Sequence, residues 1–221
     1  MKIKSFLQLI ILFFFALGIY AAAALTPPQA EQWAQNKGQE ILQILSDKNN
    51  TDKYEQLDQI LNEDIDLDFA AKFVLGKYWR QMTDAQKEQY VPLFKRYVAA
   101  LYKSVPLNID TDDIHFTIDK VVETPKGMEV WCTILIKKIE QAADQQSKGG
   151  IKVLFTLVEN NAHIQVRDLK VEESSLLISY RDRFYKMIHQ DSDDELEWFL
   201  EDFEALVQDT EQKNEEKLER L

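Results

Sequence analysis

Between residues 114 and 166 at least every second side chain is apolar in four short runs, and this period of two limits the fold more than any other feature of the sequence. Successive side chains of a strand point to opposite faces of a sheet, so each run predicts a β-strand. A Pro125-Lys126-Gly127 turn follows the first run, and Asn160-Asn161 follows the third. Short connections of this kind predict an antiparallel meander of about four strands.

On both sides of the strand region the apolar residues recur at helical spacing instead. Two segments also begin with the Ser/Thr-x-x-Glu/Gln pattern of a capping box, Thr83 to Gln86 and Ser192 to Glu195. The order of helices, strands and helices predicts an α+β domain in which the helices pack on a curved antiparallel sheet.

The first 24 residues have the order of a secretory signal peptide: a basic start, an apolar run from Phe6 to Tyr20, and four alanines ending at Ala24. We therefore expect export to the periplasm and cleavage after Ala24. The alternative is an uncleaved membrane anchor, because 6–25 is about long enough to span a bilayer.

The remaining chain is expected to form one domain over residues 25–209, followed by a charged, frayed tail over 210–221. The whole chain carries a formal net charge of −12, and removal of the signal peptide, with its two lysines and no acids, makes it more negative. Such a surface repels nucleic acid and anionic bilayers alike, so no nucleic-acid partner is expected.

The residues that could carry catalysis or hold a metal are few and scattered. Cys132 lies on the inward side of a strand pattern, which favours a buried, inert thiol. His115, His163 and His189 have no ligand-like spacing, which speaks against a metal site, although an acid–base role for His115 or His163 with a nearby aspartate stays open. The acids around Asp193 suit a helix N-terminus better than calcium. No cofactor or metal is expected.

Bulky apolar side chains are abundant for a single domain, because several helices have wide aromatic stripes and the two middle strands are apolar on both faces. This surplus fits an internal ligand cavity and an ordinary core equally well. Three functions remain open from the pattern alone: a carrier of an apolar ligand, an enzyme for a small molecule, and a non-catalytic interaction protein.

Two stretches carry a family resemblance. The sequence DLDFAAKFVLGKYWRQMTDAQKEQYVPLFKRYVAALY, residues 66–102, closely resembles the signature of the MlaC family, the toluene-tolerance-type periplasmic phospholipid carriers. The later VRDLKVEESSLLISYRDRFYKMI, residues 166–188, resembles a second family motif. Two departures are Glu173, where a glycine is usual, and Pro92 inside a helix.

The resemblance implies a carrier rather than an enzyme, which moves glycerophospholipids between the two membranes and so maintains outer-membrane lipid asymmetry. The implied partners are phospholipid, an inner-membrane ABC transporter complex with a hexameric lipid-binding subunit, and an outer-membrane lipoprotein–porin complex. The implied cargo site is a dry, uncharged tunnel. We expect its walls to contain Phe73, Val74, Tyr97, Val98, Leu101, Val130, Ile134, Phe155, Leu157, Val166, Leu177 and Tyr180.

Overall fold

The computed structural model describes residues 25–47, 49–104, 114–136 and 150–218, and the predicted signal peptide lies outside them. Helices precede and follow a five-stranded antiparallel sheet, so the predicted α+β fold class is confirmed. The elements are α1 (Pro27–Ser46), α2 (Lys53–Asp64), α3 (Leu67–Leu75), α4 (Asp84–Lys103), β1 (Ile114–Thr124), β2 (Gly127–Ile136), β3 (Ile151–Asn160), β4 (His163–Val171), β5 (Ser174–Ser175), α5 (Leu176–Lys186) and α6 (Leu196–Leu218).

The strands pair with their neighbours in chain order, from β1 to β5, as the predicted meander requires. The sequence pattern missed only β5, which is two residues long and pairs with the end of β4. The hairpin between β3 and β4 is also confirmed, but its two turn residues are Asn161 and Ala162, one position later than predicted, with φ values of 50° and 63°. Two successive left-handed residues form the tight turn that matches the twist of paired strands.

One face of the sheet packs against α1 and forms the first apolar core, which we call the sheet cluster. Its buried side chains from the strands are Met128, Val130, Cys132, Leu157 and Val166, and those that α1 contributes are Ala30 and Ala34. These two small side chains are the only fully buried ones that α1 contributes, and its larger Trp33 packs against the cluster while partly exposed.

The second core lies among the other helices, and we call it the helical cluster. Six aromatic rings from α4, α5 and α6 meet there with centroid separations between 5.1 and 6.3 Å: Tyr90, Phe94, Tyr97, Phe184, Phe199 and Phe203. All six are buried. Partly buried Ile65, between α2 and α3, packs against both clusters and connects them.

One of the two predicted capping boxes is confirmed. At the start of α4 the Thr83 hydroxyl accepts a hydrogen bond from the Gln86 backbone, and the Gln86 side chain accepts one from the Thr83 backbone. The box predicted at Ser192 is wrong. Asp193 and Asp194 have positive φ values, so α6 begins only at Leu196, and the Ser192 hydroxyl donates to Asp202 instead.

The prediction of a frayed tail from Thr210 is wrong for the residues described. Helix α6 runs to Leu218, and its last turns pack on α4. Buried Asn214 donates from Nδ2 to the Ala100 carbonyl oxygen at 2.8 Å, and Arg96 pairs with Glu211 at 2.6 Å. The end of α6 looks uniformly charged in the sequence, but these contacts show that one of its faces packs on α4.

Candidate functional site

An apolar pocket of about 120 Å³ lies between α1, α2 and the inner face of the sheet. Its floor is formed by side chains of β1, β3 and β4, and its roof by the facing sides of the two helices. The lining residues that the structure describes are Trp33, Ala34, Lys37, Gly38, Ile41, Ile60, Asp64, Ile65, Phe116, Phe155 and Val166.

The sequence of α1 explains why the helix lies so close to this floor. Ala30, Ala34 and Gly38 follow one another at intervals of four residues, which puts them on one face of the helix. A Cβ atom on Gly38 would lie 3.0 Å from the ring of Phe116, so only glycine fits there without a shift. Bulkier Trp33 and Ile41 flank this narrow stripe and form the sides of the pocket.

Charged side chains lie at the mouth of this pocket, whereas the tunnel that the family resemblance implies is uncharged. Lys37 on α1 contacts the carboxylate of Asp64 at the end of α2, with the Nζ and Oδ2 atoms 2.8 Å apart. Lys37 also pairs with Glu40, one turn further along α1, at 2.9 Å. The side chains of Lys37 and Asp64 are 25% and 12% exposed, so both charges are largely removed from water.

Burial and pairing shift the pKa values of this ion pair. Burial raises the pKa of the Asp64 carboxyl, although its hydrogen bond with Lys37 acts in the opposite direction. Burial would lower the pKa of Lys37, but hydrogen bonds to Asp64 and Glu40 outweigh this and raise it. The lysine therefore stays charged, and the pair connects α1 to α2 across the mouth.

Two polar grooves adjoin the mouth. One, of about 510 Å³, lies between α1 and α2 and includes Glu40 and Glu63 in its lining. The other, of about 820 Å³, extends from Asp64 towards the β3–β4 turn and also contains Glu63. Lys37 lies in the lining of the pocket and of both grooves. The site thus consists of an apolar recess that opens onto a polar, mainly acidic surface.

The structure divides the twelve predicted tunnel residues among several places. Phe155 and Val166 line the pocket, and Val130 and Leu157 lie beside them in the sheet cluster. Six others belong to or pack against the helical cluster: Val74, Tyr97, Val98, Leu101, Leu177 and Tyr180. Phe73 and Ile134 are half-buried, with the Phe73 ring 5.7 Å from that of Phe69 and Ile134 paired with Ile151. Whether these residues contact a ligand stays a prediction.

Sequence reasoning missed most of the pocket. The stripe containing Trp33 and Ile41 was visible as the apolar face of α1, and Phe116 as an apolar strand position. Nothing in the sequence indicated that this helix covers these strands, because helix–sheet pairing depends on contacts between distant segments. The Lys37–Asp64 ion pair was missed for the same reason, because its two partners are 27 positions apart in the sequence.

The residues considered for catalysis are not brought together. Cys132 is buried, and burial raises the pKa of its thiol to about 12, so it is not a thiolate at neutral pH. His115 and His163 lie on β1 and β4, which two strands separate, and the strand register puts them at opposite ends of the sheet, because His115 pairs with Leu135 and His163 with Asn160. Asp194 accepts a hydrogen bond from Tyr78 and pairs with His189. Within the described ranges no three His, Cys, Asp or Glu side chains are placed to hold a metal.

Comparison with known proteins identifies a family and solved structures of similar fold. The family model described as MlaC protein matches residues 35–202. Among solved structures, a phospholipid-binding protein from Ralstonia solanacearum, in complex with a phospholipid, matches with a TM-score of 0.60 and 16% identity. The match covers 79% of this chain and 96% of that one. No curated protein sequence matches the chain. None of the helices described here is long and apolar enough to cross a membrane.

Proposed function

The chain belongs to the MlaC family, and from this premise we propose that it is a periplasmic phospholipid carrier. In this proposal it moves glycerophospholipids between an outer-membrane lipoprotein–porin complex and an inner-membrane ABC transporter with a hexameric lipid-binding subunit. Its activity maintains the lipid asymmetry of the outer membrane. It binds and releases its cargo without breaking a bond, so it is not an enzyme.

The main support for this proposal is the apolar pocket with its charged mouth. An amphiphile needs both environments: hydrocarbon in the recess formed by Phe116 and Phe155, and a polar group at the Lys37–Asp64 pair. Two acyl chains contain about 30 methylenes, and at about 0.8 kcal/mol each their exposure to water costs on the order of 20 kcal/mol. A carrier that shields even part of this surface retains its cargo strongly.

Loading must enlarge the pocket. A cavity of about 150 Å³ holds one benzene molecule, so a pocket of about 120 Å³ accepts only a few carbons of an acyl chain. The sheet is fixed by its ladders of hydrogen bonds, whereas α1 buries only Ala30 and Ala34 against it. We therefore infer that α1 is the wall that moves away when acyl chains enter.

The charge of the molecule supports delivery through protein partners. A formal charge of −12 is repelled by the anionic lipids of a leaflet, so the carrier does not remain on a bilayer surface. Direct docking to membrane complexes then accounts for transfer in a way that free partition into the bilayer does not. The predicted signal peptide over residues 1–24 supports a location between the two membranes.

The proposal is tested by extracting lipid from protein that has been purified without detergent and quantifying it by mass spectrometry. We expect about one phospholipid per protein molecule. Trp33→Asp, which puts a carboxylate in the pocket wall, should reduce the bound lipid at least tenfold. Trp198→Asp is the matched control, because Trp198 is 54% exposed on α6 and should not affect retention.

Circular dichroism spectra of both variants show whether the fold is intact. Absence of phospholipid from the folded wild-type protein would contradict the carrier function. Equal lipid in Trp33→Asp and Trp198→Asp, with both folded, would contradict the position of the cargo site.

A further inference from the structure

The charges at the pocket mouth have both signs, and their arrangement distinguishes between lipid head groups. Lys37 is the one cation among the described residues that line the pocket. Asp64 and Glu40 lie 2.8 and 2.9 Å from its ammonium group. Glu63, next to Asp64 in sequence, is exposed in both adjoining grooves. One positive charge therefore contacts two carboxylates, and a third carboxylate lines the same two grooves.

The groove between α1 and α2 also contains more acidic than basic side chains. Its described lining contains Glu40, Asp47 and Glu63, and no cation apart from Lys37; the other residues are polar or aliphatic. In the second groove Lys95 is already paired with Asp68 at 2.9 Å. A group that projects from the pocket therefore meets a single ammonium first and carboxylates beyond it.

The position of a lipid head group follows from the position of its tails. With acyl chains in the recess, the phosphodiester lies at the mouth, because only the glycerol separates it from the chains. A lysine ammonium has three N–H donors, so Lys37 can keep both carboxylate partners and still donate to a phosphate oxygen. The end of the head group that is farthest from the glycerol then lies between Glu40 and Glu63.

We propose that this mouth selects phospholipids with a zwitterionic, amine-bearing head group over those with an anionic one. The phosphate contacts Lys37 and the terminal ammonium lies between Glu40 and Glu63. An uncharged terminus such as glycerol leaves the phosphate charge uncompensated in an acidic surrounding and is disfavoured. This inference rests on the proposed carrier function and adds the class of cargo to it.

The test uses vesicles that contain equal amounts of phosphatidylethanolamine and phosphatidylglycerol with identical acyl chains. Protein is incubated with them and re-isolated, and its lipid is extracted and quantified by mass spectrometry. Each exposed charge pair changes affinity by a small factor, so we expect the bound ratio to favour phosphatidylethanolamine about threefold. In the Glu40→Gln/Glu63→Gln variant the ratio should fall to about one.

The matched control is Glu197→Gln/Glu201→Gln, which removes two exposed carboxylates from α6 and changes the net charge equally. It should keep the wild-type ratio. Stoichiometric lipid at a ratio of one in the wild type would overturn the inference and leave the carrier function intact. An equal change in both variants would also overturn it, because net charge rather than the mouth would then be responsible. Protein that binds neither lipid would instead overturn the proposed function.

Discussion

Tyr97 has a buried hydroxyl with no hydrogen-bond partner among the residues that the structure describes. Its ring packs edge-on against Phe203 and Phe184 in the helical cluster. Burial raises the pKa of this hydroxyl, so it is neutral and still needs a partner. Leaving a buried hydroxyl unpaired costs about 1–3 kcal/mol.

Tyr97→Phe removes this unpaired hydroxyl and keeps the ring. We expect the free energy of unfolding, measured by urea denaturation, to stay equal or to rise by about 1 kcal/mol. Lipid retention should not change, because Tyr97 lies outside the pocket. If the variant loses lipid while keeping its stability, the hydroxyl contacts cargo and the site extends into the helical cluster.

Cys132 gives a prediction for alkaline pH. The pKa of its thiol is raised from 9.0 to about 12 by burial, so between these values the unfolded chain loses a proton that the folded chain keeps. Stability must therefore fall as pH rises through this window, by about 1.4 kcal/mol per pH unit. Tyrosines also titrate in this range, so the wild type has to be compared with a variant that lacks only the thiol.

Between pH 9 and 10.5 the wild type should lose about 1.6 kcal/mol more unfolding free energy than Cys132→Val, because the unfolded thiol is only half ionised at pH 9. Valine is a suitable replacement, because apolar substitutions of similar volume are tolerated well in cores. Chemical denaturation at the two pH values measures the difference. Equal losses in the two proteins would show that the folded state ionises this thiol as readily as the unfolded chain.

At the scale of elements, the fully buried residues of α1 are the small Ala30 and Ala34, and Gly38 lies on the same face. A larger side chain at Gly38 should push the helix from Phe116 or fill the recess beside it. We expect Gly38→Leu to reduce bound phospholipid at least threefold while the protein stays folded. Gln39→Leu adds the same side chain to the exposed side of α1 and should leave retention unchanged. Equal lipid in the two variants would contradict the role of α1 as the pocket wall.

The last turns of α6 provide a separate test of how far the folded domain extends. Asn214→Ala removes the buried amide that donates to the Ala100 carbonyl oxygen, which still accepts a hydrogen bond from the Ser104 backbone. The expected loss is about 1 kcal/mol in unfolding free energy, the net contribution of one hydrogen bond. Gln212→Ala, on the exposed side of the same turn, should change stability by less than about 0.5 kcal/mol. No difference between the two would mean that residues beyond 209 contribute nothing to the fold.

The elements that the sequence predicted well are those with local causes. The strands follow from alternation, the start of α4 from the Thr83 capping box, and the β3–β4 turn from Asn161. The failures have non-local causes. Helix α6 begins late because its preceding acids adopt left-handed conformations, and it ends late because Asn214 packs on α4.

The pocket was partly predictable in the same sense. Phe155 and Val166 were expected in the walls of the cargo tunnel that the family resemblance implied, and both line the pocket. Lys37 and Asp64 were not, because a charged side chain in a helix is normally assigned to the solvent side. Only the fold reveals that the two meet over an apolar recess.

At the scale of the whole molecule, the two cores have different tasks in this account. The helical cluster is filled by interlocking aromatic rings and gives the domain a rigid part. The sheet cluster is incomplete where α1 crosses it, and the recess left there is the proposed cargo site. A carrier needs both properties, because a cavity that opens must be attached to a part that does not.

The proposed position of the acyl chains, between α1 and the inner face of the sheet, can be tested directly by photolabelling. The protein is loaded with a phospholipid that has a photoreactive group near the end of one acyl chain and is irradiated, and the labelled residues are mapped by mass spectrometry. We expect labels on the pocket lining, above all on Trp33, Ile41, Phe116 and Phe155. Labels confined to the helical cluster, on residues such as Tyr97 or Tyr180, would contradict it.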